Sequence, residues 1–314
     1  MWFDIKIEEI LLCYPKLEVQ IILVVFYSLF WMITLPLLSN LFKTYIDKQS
    51  WKEQWITLSK INFKKALFID YEKREDAYEM ARMFLVVIIQ HSLGGLLSSF
   101  SLLSDDVISK INLTRDVTNA LACHGALSET GYELQEYLIR IHEHIFTKEG
   151  RKRSPMPLLI LMSIHHFTGI FLIIPYNIKF RDSGVYHEII FLLQFAAGIT
   201  LIFQNYGYII NVEEKGGLKR MRIVSFIVFL TVFWSRIARF GYLAYRFITL
   251  SINQESFIFN TIMILSVFSL STINLIFFID SCKRLMKFLF ADPNSIKIVD
   301  VDDEDEDKEN LKTK

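Results

Sequence analysis

Residues 257–281 read FIFNTIMILSVFSLSTINLIFFIDS, and Asp280 is the only charged residue among them. A helix of about 20 apolar residues is long enough to cross the hydrocarbon core of a bilayer. Comparable stretches recur along the 314-residue chain, which is 52% hydrophobic and has a mean hydropathy of +0.33. Ordinary soluble domains are about 45–50% apolar. The sequence therefore predicts an all-α integral membrane protein and argues against a soluble globule.

Charge and cysteine content argue against two other classes of protein. The 34 basic and 34 acidic residues cancel, and no basic face emerges from their distribution, so no nucleic-acid partner is expected. The three cysteines, Cys13, Cys123 and Cys282, are odd in number and scattered along the chain. They indicate neither a disulfide framework nor a CxxC metal site.

Seven stretches are candidates for membrane-spanning helices. Six of them have conventional hydropathy, whereas the third carries Glu129, Glu133, Glu136 and Arg140 and would be rejected on hydropathy alone. We therefore expect one leading helix followed by a bundle of six. The predicted spans are 17–42, 81–103, 117–146, 155–176, 186–211, 222–249 and 257–281.

The distribution of basic residues between the loops supports the seven-span count. With seven spans, the loops on one side carry 19 Lys and Arg and the loops on the other side carry 6. Removing the third span would place basic loops on both sides. Because basic loops face the cytosol, the N-terminus is predicted outside and the C-terminus in the cytosol or its equivalent.

The predicted domains follow from these spans. Residues 1–16 form a lumenal segment, 17–42 the first span, 43–80 a basic loop, 81–290 the helical bundle and 291–314 an acidic tail. In the basic loop, Trp51, Trp55 and Leu58 recur at helical spacing among lysines. This pattern predicts a helix lying in the headgroup region with its rings towards the lipid. A solvated linker is the alternative.

Ionisable side chains occur near the middle of four spans. His91, Gly131 (between Glu129 and Glu133), the pair His165–His166 and Arg236 all lie within about one helical turn of their span midpoints at 1.5 Å rise per residue. Such groups are costly in lipid unless they face a cavity or a partner. We therefore expect a shared intramembrane cavity that binds an acyl lipid. Its predicted lining is His91, Glu129, Glu133, Arg236 and Arg239, with His165 and His166.

Two charged stripes extend this expectation. Glu129, Glu133, Glu136 and Arg140 share one face of the third span, and Arg236, Arg239 and Arg246 form a similar stripe on the sixth. Opposite charges on neighbouring helices can pair across a common interior. The alternative is that each stripe forms structural ion pairs that hold helices together.

The adjacent histidines have the chemistry of a reactive site. A neutral imidazole accepts a proton or attacks a thioester carbonyl to form an acyl-imidazole. His165 and His166 are therefore the catalytic candidates if the protein is an enzyme. No metal site is expected, because vicinal histidines rarely chelate one ion and no HxxxH or HxxE pattern accompanies them. A structural hydrogen bond is the other role open to them.

Four motifs together resemble the TLC-domain family, which contains the ceramide synthases. They are IIQHSLGG, GYELQEYL, SIHHFTG and VFWSRIARFGYLAY, and the resemblance covers about residues 80–290. It implies a leading helix, a barrel-like bundle around a lipid cavity, and acyl transfer at His165 or His166 from acyl-CoA to a sphingoid amine. Ceramide synthases also carry HDxxD in the following helix, whereas residues 186–211 contain no Asp and supply the amides Gln194, Gln204 and Asn205 where carboxylates would be required.

Three functions remain open at this point. The first is a TLC-like protein that binds an acyl lipid without ceramide synthase activity and needs no cofactor. The second is a His-dependent N-acyltransferase with acyl-CoA as substrate. The third is an accessory subunit of a large complex, for example in the mitochondrial inner membrane, with other membrane subunits as partners. An endoplasmic-reticulum-type membrane is the first expectation for location, and the sequon at Asn112 tests it because the predicted topology puts Asn112 outside.

Overall fold

A computed structural model describes residues 5–71, 73–252 and 256–292, without the side chains of Phe167 and Thr168. Every regular element within these ranges is helical, which confirms the all-α prediction. A 3-10 turn (Phe100–Leu102) and a π-helical segment (Phe233–Ala238) accompany the α-helices. These are α1 (Ile7–Leu11), α2 (Leu17–Ile46), α3 (Lys52–Leu67), α4 (Arg74–Ser99), α5 (Asp105–Lys110), α6 (Arg115–Phe146), α7 (Gly150–Arg153), α8 (Met156–Phe171), α9 (Ile173–Phe180), α10 (Gly184–Ile209), α11 (Gly217–Val232), α12 (Arg239–Ile252) and α13 (Phe257–Phe290).

Five helical stretches in the described chain are long and apolar enough to cross a membrane. They are Leu17–Ile46, Arg74–Leu102, Gly184–Ile209, Gly217–Ile252 and Phe257–Phe290. Large apolar side chains remain exposed along them, as on a surface covered by lipid. The integral-membrane prediction is consistent with these helices, whereas the count of seven stays a prediction. The apolar part of α8 is shorter, and α6 is long but too polar to qualify.

The polar helix α6 lies in the middle of the bundle. It packs against α2, α4 and α8, and one side of it is lined by small buried residues such as Ala122 and Ala126. Trp31 of α2 donates a hydrogen bond from Nε1 to Ser128 Oγ at 2.9 Å. The neighbouring helices therefore cover the polar side chains of α6.

The basic loop contains the predicted helix, but this helix packs against other helices of the protein, whereas the sequence predicts packing against lipid. Trp55, Ile56 and Leu58 of α3 are buried against α4 and α10 within the protein. Trp55 also donates a hydrogen bond to Asn205 Oδ1 at 3.0 Å. An apolar stripe at helical spacing identifies the face that is buried, and it does not specify whether lipid or protein buries it.

Two predicted spans differ in detail. The predicted span 155–176 is divided at Leu172 into α8 and α9. Pro175 explains the break, because it has no N–H to continue the hydrogen-bond ladder of α8. The predicted span 222–249 is one longer helical stretch whose centre is π-helical. Most of the predicted acidic tail and the first four residues of the predicted lumenal segment lie outside the described residues.

Candidate functional site

A carboxylate–imidazole pair lies where α6 meets α8. Glu133 Oε1 is 3.2 Å from His166 Nδ1, and the two residues are only 6% and 7% exposed. Thr130, one turn earlier on α6, donates a hydrogen bond to the carbonyl of Gly169 at 2.8 Å. A Cβ atom at Gly169 would lie 1.6 Å from Glu133 Oε2. The absence of a side chain at Gly169 therefore provides the space in which the carboxylate lies.

A second carboxylate–imidazole pair lies one turn away on α6. Glu129 Oε2 is 3.1 Å from Nδ1 of His91 and accepts a hydrogen bond from Gln90 Nε2 at 2.5 Å. Both partners belong to α4, and Gln90 is fully buried. Because Glu129 and Glu133 are four residues apart on one helix, the two pairs are neighbours.

His165 joins this group from α8. Its ring centroid lies 5.1 Å from that of His166, and the ring planes are inclined by 60°. One carboxylate oxygen of Glu133 and one ring nitrogen of each histidine all lie within 4.8 Å of one another. We call His91, Glu129, Glu133, His165 and His166 the polar cluster.

Several atoms of the polar cluster have no hydrogen-bond partner among the described residues. They are Glu133 Oε2, His165 Nδ1 and His166 Nδ1. The 3.2 Å approach between His166 Nδ1 and Glu133 is an ion-pair distance without the alignment of a hydrogen bond. The site thus holds donor or acceptor capacity that the described part of the chain does not use.

Arg236 lies on the π-helical segment and is buried. It donates hydrogen bonds to Asn274 Oδ1 of α13 at 3.1 Å and to the carbonyl of Leu193 in α10 at 2.8 Å. The hydrogen bonds of Arg236 are therefore made to α10 and α13 and not to the polar cluster.

The structure gives Arg239 a different partner from the one that the sequence suggests. Arg239 donates two hydrogen bonds, of 2.6 and 2.8 Å, to the carboxylate of Glu188. The π-helical segment explains the difference, because its wider turn rotates Arg239 away from the face that carries Arg236. On α6, Glu136 lies 3.6 Å from Arg140 of the same helix. The predicted pairing of the two whole stripes is therefore replaced by local pairs.

Sequence reasoning missed two residues that shape the site. Gln90 holds Glu129, and Asn274 holds Arg236. An intramembrane amide is a recognisable signal, since it needs a partner in lipid. The amides of α10 do not contact the polar cluster through their hydrogen bonds; Gln194, for example, donates to the carbonyl of Gly125 at 3.1 Å.

A groove of about 300 Å³ opens between α10 and the stretch formed by α11 and the π-helical segment. Its lining is mainly apolar, and no residue of the polar cluster belongs to it. The predicted cavity with all of these residues in its wall stays a prediction. The groove is lined by Phe191, Leu192, Phe195, Leu230, Thr231, Trp234 and Ser235.

The arrangement has two chemical capacities. A carboxylate beside an imidazole stabilises the protonated ring and so supports proton transfer. The nitrogen and oxygen atoms without a hydrogen-bond partner can bind a polar group that enters from outside the chain.

Comparison with models of protein families, with curated proteins and with solved structures found no match.

Proposed function

We propose that this protein is a polytopic membrane protein that binds an acyl lipid, with the polar end of the lipid at the polar cluster. The observation that carries the proposal is that Glu133 Oε2, His165 Nδ1 and His166 Nδ1 have no hydrogen-bond partner within the described chain. Each buried polar atom without a partner costs about 1–3 kcal/mol. A hydroxyl, ester or amide of a lipid offers partners that offset this cost.

The proposed topology has seven spans in a TLC-like bundle. α6 and α8 are the two additional spans, and burial of α6 by α2, α4 and α8 supports the first of them. A charged helix in the bilayer requires such cover. This topology places the N-terminus outside and the polar cluster near the membrane midplane.

The groove beside α10 is the proposed place for an acyl chain. Its volume of about 300 Å³ lies at the lower end of the range for ligand pockets. Leu192 and Ser235 of its wall are the chain neighbours of Leu193 and Arg236, which are joined by a hydrogen bond. A lipid in the groove would thus lie next to the helices that border the polar cluster.

Acyl transfer is the second candidate, and the contact between Glu133 and His166 favours it. The TLC-like pattern lacks the carboxylates of HDxxD, and Glu133 lies where a carboxylate can assist the histidine. The imidazole would accept the amine proton as nitrogen attacks the thioester carbonyl. The C–S bond then breaks and the thiolate takes that proton, giving an amide and free thiol.

Lipid retention tests the first function directly. We expect the wild-type protein, purified in mild detergent, to carry an acyl lipid detected by native mass spectrometry. The variant with His165→Ala and His166→Ala should lose it. Arg239→Ala is the matched control, because Arg239 pairs with Glu188 outside the polar cluster. Equal lipid content in all three proteins would contradict lipid binding at this site.

The same preparations separate the alternatives. Acyl-CoA-dependent product that disappears in the double histidine variant would establish acyl transfer, and about 10²–10⁴-fold slower turnover is expected for loss of one acid–base group. Stoichiometric membrane subunits that co-purify would instead identify an accessory subunit. Membrane fractionation distinguishes the proposed endoplasmic reticulum from the mitochondrial inner membrane.

A further inference from the structure

We propose that Glu133, His165 and His166 bind a divalent transition-metal ion, Zn²⁺ or Fe²⁺, between α6 and α8. The proposal goes beyond lipid binding and does not depend on it. It begins from the three potential ligand atoms, which come from two helices and lie within 4.8 Å of one another.

The distances require only small adjustments. Zn²⁺ binds imidazole nitrogen at about 2.0–2.1 Å and carboxylate oxygen at about 2.0–2.2 Å. Two ligand atoms of one tetrahedral ion are therefore about 3.4 Å apart. The three atoms lie within 4.8 Å of one another, so side-chain rotations that move them by about 1 Å bring them into this range.

A separate observation concerns the hydrogen bonding of these three residues. Glu133 and His166 are more than nine-tenths buried, and Glu133 Oε2 and His166 Nδ1 have no hydrogen-bond partner among the described residues. The same is true of His165 Nδ1. Carboxylate oxygen and imidazole nitrogen are atom types that coordinate metals, and each of the three residues has one such atom without a hydrogen bond.

The donor set selects a class of ion. Two imidazoles and one carboxylate bind Zn²⁺ in several hydrolases and Fe²⁺ in oxygenases, with a position left open. Mg²⁺ and Ca²⁺ prefer oxygen donors. Glu129 lies one turn away on the same helix and adds a second carboxylate near this donor set.

The structure also answers the objection that adjacent histidines point apart. Successive residues of a helix differ by about 100°, and the rings of His165 and His166 are inclined by 60° with centroids 5.1 Å apart. Glu133 approaches from the facing helix into the space left by Gly169. The three side chains therefore converge on one point although two of them are neighbours in sequence.

Metal analysis of the full-length protein tests the site. The protein is purified through a tag without histidine, treated with a chelator and reloaded with Zn²⁺ or Fe²⁺. We expect one-to-one binding by the wild type. Glu133→Gln, which keeps the size of the side chain, should weaken binding by more than about 100-fold, since loss of an outer-shell partner alone costs about 10–100-fold.

His124→Ala is the matched control, because His124 lies on α6 but contacts Tyr27 and the carbonyl of Leu11 instead. It should bind metal like the wild type. X-ray absorption on the Zn²⁺-loaded wild type needs no variant and should show imidazole ligands.

An absence of metal after reloading, equal affinity in Glu133→Gln and His124→Ala, or a shell of oxygen ligands alone would overturn the metal site. Bound lipid is measured on the same samples. A lipid-bearing wild type without metal would therefore reject the metal proposal while leaving the proposed lipid binding intact.

Discussion

At Gly169, a missing methyl group determines where the Glu133 carboxylate lies. An added Cβ atom would be 1.6 Å from Oε2 and 2.6 Å from Cδ of Glu133. The carboxylate is the end of a flexible side chain, so it can move, but it would leave its position beside His166. A glycine inside an apolar helix permits a close approach by a neighbouring group, whereas the identity of that group required the structure.

We expect Gly169→Ala to displace Glu133 and to weaken ligand binding at the polar cluster. Overpacking of this kind costs about 1–3 kcal/mol of stability. Thermal unfolding in detergent measures the stability, and mass spectrometry of the purified protein measures the bound ligand.

Gly241→Ala is the control for this substitution. Gly241 lies on α12, and an added Cβ there meets no atom of the described chain within 4 Å. Alanine is favoured over glycine inside helices by about 0.5–1 kcal/mol, so this variant should be as stable as the wild type or more stable. If Gly169→Ala kept full ligand content and stability, the assigned position of Glu133 would be wrong.

At the scale of elements, α6 determines whether the bundle can form. Its Gly131 faces α2, where an added Cβ would lie 2.6 Å from Tyr27 Cβ and 2.7 Å from the backbone nitrogen of Ser28. Backbone atoms cannot move aside as a side-chain tip can. The two helices are therefore in close contact through a residue without a side chain, as is common between membrane helices.

Gly131→Ala should consequently separate α2 from α6. We expect a loss of about 1–3 kcal/mol, nearer the upper value than for Gly169→Ala, because the clash is with backbone. Thermal unfolding of the two variants side by side measures the difference. A Gly131→Ala protein as stable as Gly241→Ala would show that α2 and α6 are not packed as described.

The sequence predicts the long apolar helices better than it predicts the irregular segments and the contacts between helices. Five predicted spans correspond to long helices because uninterrupted apolar residues need no knowledge of tertiary contacts. The π-helical segment around Arg236 depends on packing, and no pattern in the sequence predicts it. A regular α-helix through this stretch would put Arg239 on the same face as Arg236, which is what the sequence predicts. For Trp55, the stripe predicted a buried face but not the protein surface that covers it.

At the scale of the whole molecule, the sequence predicts the position of a residue along its helix but not the direction of its side chain. Counting residues from each span midpoint predicts a similar depth for His91, Glu129, Glu133 and His166. The partner of each group depends on helix rotation. Rotation is set by contacts such as Thr130 with Gly169, which the sequence does not specify.

The predicted topology makes Asn112 a marker of the membrane that holds the protein. Asn112 is exposed in the loop before α6, and Thr114 completes its sequon while capping α6 through Val117 N. In an endoplasmic-reticulum membrane we expect a glycan there. Glycosidase treatment should increase gel mobility for the wild type.

Two variants control the glycan experiment. Asn112→Gln removes the acceptor, whereas Thr114→Ser keeps both the sequon and a hydroxyl that can cap α6. We expect the mobility change only in the wild type and Thr114→Ser. A change that persists in Asn112→Gln would place the glycan elsewhere, and an unmodified wild type that fractionates with mitochondria would contradict the location.

A density map of the protein in a lipid nanodisc, at a resolution that shows side chains, tests ligand binding at the polar cluster most directly. The account predicts non-protein density against Glu133, His165 and His166, compact for a metal ion and elongated towards α10 for a lipid. If these three side chains instead contact only one another and no added density is present, the polar cluster only holds the helices together and the proposed binding function is wrong.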